Sequence, residues 1–483
     1  MTLKHKTFSA VRWTTTAAVV RAALQLAQVS VLARLLAPED YGLMAMVSVV
    51  VGFAGIFADL GVNSAIIQRQ SVTQEQRSSL FWLNVGISAG LTLIVIAASP
   101  LLAMFFGDKR LIPLLMLAAT TFVLAAVGLQ VRMAAEKALN FRPVVFVEIG
   151  AAILGFATAV ISALAGVGVY ALIYGSLMGA LTQTTLSWLV LAQGWRPLWR
   201  LRGSEVRPFL GFGSALVANN IVNHINSTID LLLGGRLLSA TALGMYSLPR
   251  NLVLQLQFMI NPIITRVGFP LIAQVQADVP KVRSIYLQTL NMTASTNAPL
   301  YIGIAFFTPE IVRIMFGEKW GGTVEVMRIL AIWGFVRSTA NPVGSLLLGM
   351  GRADLNLKWN LALMCIIPPS LWLGSHFGTI GLAWALLIVQ VCGFVPSWYF
   401  LVRPLCHAGL LEYIGVTLRP LLIACSAVAP AYWLTTSIDI AALRMTIAVA
   451  LSALLYVAIS YRANRLWFNA IMSLLLSRQI ATR

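Results

Sequence analysis

The stretch Val31–Gln70, VLARLLAPEDYGLMAMVSVVVGFAGIFADLGVNSAIIQRQ, decides how the rest of the chain is read. It holds the end of one long apolar segment, a tight polar turn at Pro38-Glu39-Asp40, and the whole of a second apolar segment. Three charges sit inside or at the rim of this apolar material: Arg34, Asp59 and, just upstream, Arg21. A charge at bilayer depth costs several kcal/mol, so each needs a partner or a wet cavity. The hairpin is therefore expected to be part of a repeated unit whose polar stripe faces a cavity.

Composition fixes the class. Of 483 residues, 59% are apolar and 10% are charged, and the mean hydropathy is +0.84. Soluble domains carry about a quarter charged residues. The apolar runs are mostly 20 residues or longer, enough to cross a hydrocarbon core about 30 Å thick. The alternating ten-residue segments of a membrane barrel are absent. The expected fold class is an all-α integral membrane protein. The net charge of +18 reads as contact with anionic lipid and a positive cytoplasmic face, with no nucleic acid. Cys365, Cys392, Cys406 and Cys425 have neither metal spacing nor a disulfide pattern. The first apolar run outlasts a signal peptide and is read as a retained helix.

The runs fall at about 13–36, 41–67, 79–100, 111–130, 144–165, 168–192, 209–233, 243–272, 285–308, 324–349, 356–375, 378–402, 413–434 and 441–461, which predicts fourteen spans. Lys4, Lys6 and Arg12 precede span 1; Arg132, Lys137 and Arg142 follow span 4; Arg462, Arg465 and Arg478 follow span 14. The opposite loops carry few cations, offset by Glu39, Asp40, Asp108, Glu310 and Glu318. This bias predicts both termini in the cytoplasm. A basic, Trp-bearing segment at 195–208 (Trp195, Trp199, Arg200, Arg202) divides the chain near its middle and suits the headgroup zone. The expected organisation is a six-helix lobe at 1–194, a linker at 195–208, a second six-helix lobe at 209–403, and an appended pair with a cytoplasmic tail at 404–483.

An offset of 202 residues places Arg34-Leu35-Leu36 on Arg236-Leu237-Leu238 and Gly42 on Gly244. The same offset sets Arg21 on Asn223, Gln28 on Asp230, Ser48 on Arg250 and Asp59 on Asn261. At slightly larger shifts Phe106-Gly107-Asp108-Lys109 matches Phe316-Gly317-Glu318-Lys319, and Gly168-Val169-Tyr170-Ala171 matches Gly381-Leu382-Ala383-Trp384. Both halves begin on the same side, so they read as parallel repeats about an axis along the membrane normal.

Polar stripes mark the candidate site. Span 1 carries Arg21, Gln25 and Gln28; span 7 carries Asn219, Asn223, Asn226 and Asp230, each set on one helix face. Span 8 adds Arg250, Gln257 and Asn261, span 9 adds Gln288, Asn291 and Ser295, and span 10 adds Arg337 and Asn341. A single amide or hydroxyl is accounted for by interhelical hydrogen bonding. An unpaired guanidinium is too costly for packing alone, so Arg21, Arg250 and Arg337 are the better cavity candidates. Arg34 and Arg236 sit at helix ends, where they can snorkel to the interface. A cavity rich in Arg, Asn and Gln suits an anionic, hydroxylated substrate, because guanidinium grips phosphate bidentately. Asp59, Asp230 and Glu148 are candidates for proton or Na⁺ coupling, or partners for the arginines. No P-loop, HExxH or Ser/His/Asp spacing appears, so neither enzyme chemistry nor a cofactor is expected. His224 reads as a packed neutral side chain. Gly175/Gly179 and Gly374/Gly378 read as close helix contacts.

LARLLAPEDYGLMA followed by FADLGVNSAIIQR resembles the opening hairpin of polysaccharide-biosynthesis flippases. These are Wzx-like members of the multidrug/oligosaccharidyl-lipid/polysaccharide exporter superfamily. Also similar are ALNFRPVVFVEIGAA, GVGVYALIYG, IDLLLGGRLLSATALGMYSLPRNL and FFTPEIVRIMFGEKW, nearest the colanic-acid-exporter-like branch. The resemblance implies an alternating-access carrier of undecaprenyl-pyrophosphate-linked sugar units across the bacterial inner membrane. It implies no ATP use, a lipid-linked oligosaccharide substrate, and polymerase or export machinery as partners. Its cationic cavity residues carry over to Arg21, Arg250 and Arg337. The competing readings are a drug/cation antiporter of the same superfamily, a membrane enzyme that polymerises or ligates sugars, and a scaffold of glycan assembly.

Overall fold

The computed structural model describes residues 3–59, 73–138 and 140–480, with side chains left aside at 3–12, 14–19, 59, 207–219, 266–267 and 474–480. Among the described residues every regular element is helical. A chain this apolar has no water to satisfy its backbone, and a helix satisfies each N–H and C=O within one segment. In chain order the main helices are α1 (Leu3–Leu35), α2 (Pro38–Asp59), α3 (Gln74–Phe106), α4 (Leu111–Lys137), α5 (Phe141–Leu164), α6 (Tyr170–Leu186), α7 (Gly203–Leu237) and α8 (Ala240–Gln274). They continue with α9 (Val279–Phe306), α10 (Val324–Thr339), α11 (Pro342–Gly349), α12 (Ala353–Ser375), α13 (Gly378–Cys392), α14 (Leu410–Leu434), α15 (Ala441–Ala463) and α16 (Arg465–Ile480).

Where they are described, the expected runs lie on helices, and 60–67 of the second run fall outside the described residues; fewer helices qualify as membrane spans by length and apolarity. Eight described helices do, or nine when Val279–Phe306 is joined to Thr308–Phe316 across its 78° bend. The shortfall has local causes. The span expected at 324–349 breaks into α10 and α11 at Asn341-Pro342, where Pro342 cannot continue the backbone ladder. The α6 helix runs only 17 residues before a π-type turn at Ser187–Leu191. The polar stripes of α1 and α7 lower their apolarity.

Local chemistry sets the helix ends. Thr73 opens α3 with a reciprocal box: Gln76 N donates to Thr73 Oγ1 at 3.2 Å, and Thr73 N donates to Gln76 Oε1 at 3.2 Å. Gly107, φ 75°, closes it. The matched glycine of the second half, Gly317, also has positive φ, 93°. One glycine expectation needs correction. Gly378 has a left-handed backbone, φ 69°. Gly381 instead packs on Gly374, so Gly378 is a turn residue rather than half of a helix contact. Gly175 and Gly179 do meet α5: a Cβ at Gly175 would stand 2.7 Å from that of Ala159.

The chain forms two compact units, Met1–Gly244 and Met245–Arg483. In the first, α5 packs on α6 and α1, α3 on α4, and α7 on α2 and α3. Leu32, Leu36, Ala159, Ala163 and Ala171 form one buried cluster there. The boundary at Gly244 lies beyond the 195–208 segment because α7 packs on α2 and α3. That segment is tied down: Trp82 Nε1 donates to the Leu198 carbonyl at 2.8 Å, the Trp82 and Trp199 rings stack at 4.3 Å, and Ser79 Oγ donates to Glu205.

The sequence repeat reappears here as a contact. A Cβ on Gly42 would fall on the Ala240 carbonyl oxygen, and one on Gly244 on the Pro38 carbonyl oxygen. Pro38 and Ala240 are themselves related by the 202-residue offset. The contact is thus reciprocal, as equivalent surfaces make across a two-fold axis.

In the second unit α9 is the hub, packed against α10 on one side and α14 on the other. Tyr286, Leu290, Leu346, Val402 and Tyr413 form the buried cluster where α9, α11 and α14 converge. The final two helices, α15 and α16, are stapled to α9. Tyr456 Oη donates to the Ser295 carbonyl at 2.6 Å, Asn464 Nδ2 to Ser295 Oγ at 2.7 Å, and Trp467 Nε1 to Thr296 Oγ1 at 3.3 Å. Arg444 of α15 pairs with Glu310 at 2.6 Å, with side chains only 16% and 8% exposed. All four cysteines are free.

Candidate functional site

In the first unit the expected residues gather around one carboxylate. Helix α1 packs on α5, which brings Arg21 Nη1 to 3.1 Å from Glu148 Oε2. The other oxygen of Glu148 accepts from Arg132 Nη2 at 2.6 Å, and Arg132 Nε reaches Glu136 at 2.8 Å. Two cations and two anions thus form a neutral chain. Glu148 is 11% exposed while Arg21 is 48% exposed, so the guanidinium points outward while its partner anchors it. Of the two roles open to Glu148 in the sequence, partner to an arginine is the one seen here. Gln25 is exposed and Gln28 half-buried on the same helix.

On α7, Asn223 is exposed, Asn226 half-buried and Asp230 buried. His224 packs on α2, where a Cβ at Gly52 would lie 2.8 Å from its Cε1; this is the packed role read from the sequence. The side chains of Asn219 and Asp59 lie outside the described residues. Arg34 and Arg236 are exposed near helix ends, and Arg236 sits 5.9 Å from the Phe105 ring, in keeping with an interfacial role.

In the second unit the polar residues separate into two groups. Arg250, Gln257 and Asn261 are buried on α8. Asn261 Nδ2 donates to the Ser338 carbonyl of α10 at 2.8 Å, and Asn297 Nδ2 of α9 donates to Asn261 Oδ1 at 2.9 Å. Tyr301 Oη adds a bond to the Val253 carbonyl at 2.9 Å. Three helices are thus joined through amides, the interhelical bonding expected of single polar residues. Half-buried Arg337 lies beside this network with its guanidinium 5.2 Å from the Trp333 ring.

Asn291 belongs to the opposite face of α9. With Gln288 it lines a cavity of about 670 Å³ between α9, α14 and the α15–α16 junction, whose cations are Arg419, Arg462 and Arg465. Sequence reasoning left these three out by treating the last spans as an appendage. Their signal was the arginines at both ends of the α15–α16 junction, facing a span-9 stripe already noted as polar.

The helices of both units thus carry guanidinium and amide groups along otherwise apolar sequence. The fold is shared with solved transporters. A structure of the lipid II flippase MurJ in an inward closed conformation aligns with a TM-score of 0.72 at 13% identity, covering 92% of this chain and 98% of that one. An inward-facing multidrug resistance MATE family transporter of the MOP superfamily aligns with a TM-score of 0.60 at 13% identity, over 80% of this chain and 98% of that one. Residues 31–325 match the family described as "Polysaccharide biosynthesis protein", and the chain belongs to that family. The lipopolysaccharide biosynthesis protein WzxC of Escherichia coli K12 is 31% identical over 86% of this chain and 84% of its own length. The teichuronic acid biosynthesis protein TuaB of Bacillus subtilis 168 is 29% identical over 94% of this chain and 95% of its own.

Proposed function

We propose that this protein flips undecaprenyl-pyrophosphate-linked oligosaccharide units across the bacterial inner membrane for surface polysaccharide assembly. The observation that carries the reading is the family membership joined to guanidinium groups held inside apolar helices. Arg21 is positioned by Glu148 on α1 and α5, and Arg250 and Arg337 flank the α8–α9–α10 amide network. These arginines would hold the pyrophosphate, and Gln25, Gln28, Asn223, Asn226 and Gln257 would meet sugar hydroxyls. Both termini lie in the cytoplasm on this reading.

The Arg21–Glu148 pair gives the carrier a means of exchange. A pyrophosphate entering at Arg21 competes with Glu148 for the guanidinium, and a cation bound at Glu148 would release Arg21 to the cargo. Asp230, buried on α7, is the second coupling candidate. A drug/cation antiporter is disfavoured by the arginines, which repel cations. The test is depletion with leaflet-resolved detection of lipid-linked oligosaccharide. Intermediates should collect on the cytoplasmic side, and their even distribution would sink the proposal.

A further inference from the structure

We infer that the cavity between α9, α14 and the α15–α16 junction is a binding site for the phosphate headgroup of a lipid, separate from the arginines assigned to transport. Arg419, Arg462 and Arg465 converge on it from three helices. Each is exposed, and none has a carboxylate within ion-pair distance among the described residues. The one acid on its wall, Glu412, is already engaged by Arg283, whose Nε lies 3.0 Å from Glu412 Oε2. Three arginines therefore line about 670 Å³ whose one carboxylate is already paired with Arg283. Clustered cations repel unless an anion sits among them, and basic pockets between helices at the cytoplasmic face suit anionic headgroups.

The remaining lining fits the same ligand. Gln288 and Asn291 offer amide donors beside the arginines, while Leu287, Val416 and Leu466 give an apolar wall against which a hydrocarbon chain can lie. The walls are held before any ligand arrives. Asn464 stands between Arg462 and Arg465, 3% exposed, and bonds Ser295 of α9. Trp467 of α16, 9% exposed, bonds Thr296 one residue on. The Arg283–Glu412 pair joins α9 to α14 on the other side. A fork of planar donors on fixed helices matches phosphate bidentately in a way that flexible lysines do not.

Two lipids carry this chemistry: an anionic phospholipid of the bilayer and the prenyl phosphate carrier itself. Purified protein in phosphatidylcholine nanodiscs, titrated with phosphatidylglycerol or with undecaprenyl phosphate and read by native mass spectrometry, separates them. Retention of one phosphate lipid at a preference on the order of 10- to 100-fold over phosphatidylcholine is expected. Replacing Arg419, Arg462 and Arg465 together with Gln should abolish the preference, and replacing them with Lys should keep part of it. Stronger retention of undecaprenyl phosphate assigns the site to the carrier; stronger retention of phosphatidylglycerol assigns it to the bilayer. Single Arg419→Gln and Arg465→Gln replacements should each weaken retention several-fold, which covers the case in which the triple variant does not fold. Equal retention by the wild type and the Gln variants, or no preference in the wild type, overturns the inference. The readout is binding, so its failure would leave the transport proposal standing, and the reverse also holds.

Discussion

Replacing Gly244 with alanine tests the reciprocal contact between the repeats. The added Cβ would overlap the Pro38 carbonyl oxygen and lie 3.0 Å from the Gly42 nitrogen. Both neighbours are backbone in the first turns of helices, so no side chain can swing aside. The ends of α2 and α8 must part by more than about 1 Å, and overpacking of this kind costs about 1–3 kcal/mol. Gly42→Ala meets the Ala240 carbonyl in the same way and should cost about the same. One separation relieves both clashes, so the double variant should cost little more than either single one. The expected interaction energy is about −1 to −3 kcal/mol, close to one whole single-variant loss with its sign reversed. Thermal unfolding of the purified protein in detergent, on all four corners of the cycle, measures it. Full additivity would show that the two glycines do not share one contact and would refute the reasoning.

Three further outcomes follow from other parts of the chain. Arg444→Leu strands Glu310 in a site where both side chains are largely buried, so stability should fall by about 3–5 kcal/mol, with much of the loss recovered in Arg444→Leu/Glu310→Gln; an unchanged melting midpoint would contradict the pair. Glu148→Gln removes the carboxylate shared by Arg21 and Arg132. It should end polysaccharide export with a stability loss of about 1–2 kcal/mol, discounted for the exposure of Arg21; normal export at normal protein levels would exclude Glu148 from the mechanism. The Glu205 carboxyl is held below the usual glutamate range, first by the Ser79 hydroxyl and then by Arg200. A depressed folded value stabilises the clamp above the unfolded pKa of about 4.3, and that support is lost as pH falls through the folded value. Proteolysis at 196–202 should therefore accelerate below about pH 4, and Ser79→Ala should show the acceleration already at neutral pH; cleavage independent of both would dismiss the clamp.

The helical class, the positions of the fourteen apolar runs and the family were all legible in the sequence. Apolar length and charge bias report directly on what a bilayer admits, without reference to neighbours. The repeat was legible too, because Gly42 and Gly244 keep the same residue at the same offset. What sequence could not supply was partnership. Glu148 is 127 residues from Arg21, and nothing local distinguishes an acid that couples ions from one that holds an arginine. On α9, Asn291 and Asn297 lie six residues apart, and that spacing turns them to opposite faces. Only packing shows that Asn297 joins the α8–α10 network while Asn291 faces Arg419, Arg462 and Arg465.

The opening hairpin shows the same division. By itself the sequence determined that Val31–Gln70 is apolar enough to suit a bilayer, that Arg34 recurs as Arg236 at a helix end, and that Gly42 has a counterpart. Tertiary structure alone decided that Gly42 and its counterpart touch, each against the other's helix end, and that Arg21 is held by Glu148. Hydropathy is a property of each residue and its immediate neighbours, so a linear reading recovers it. A contact between residues some 200 positions apart depends on how helices cross, and only the packed fold contains that information.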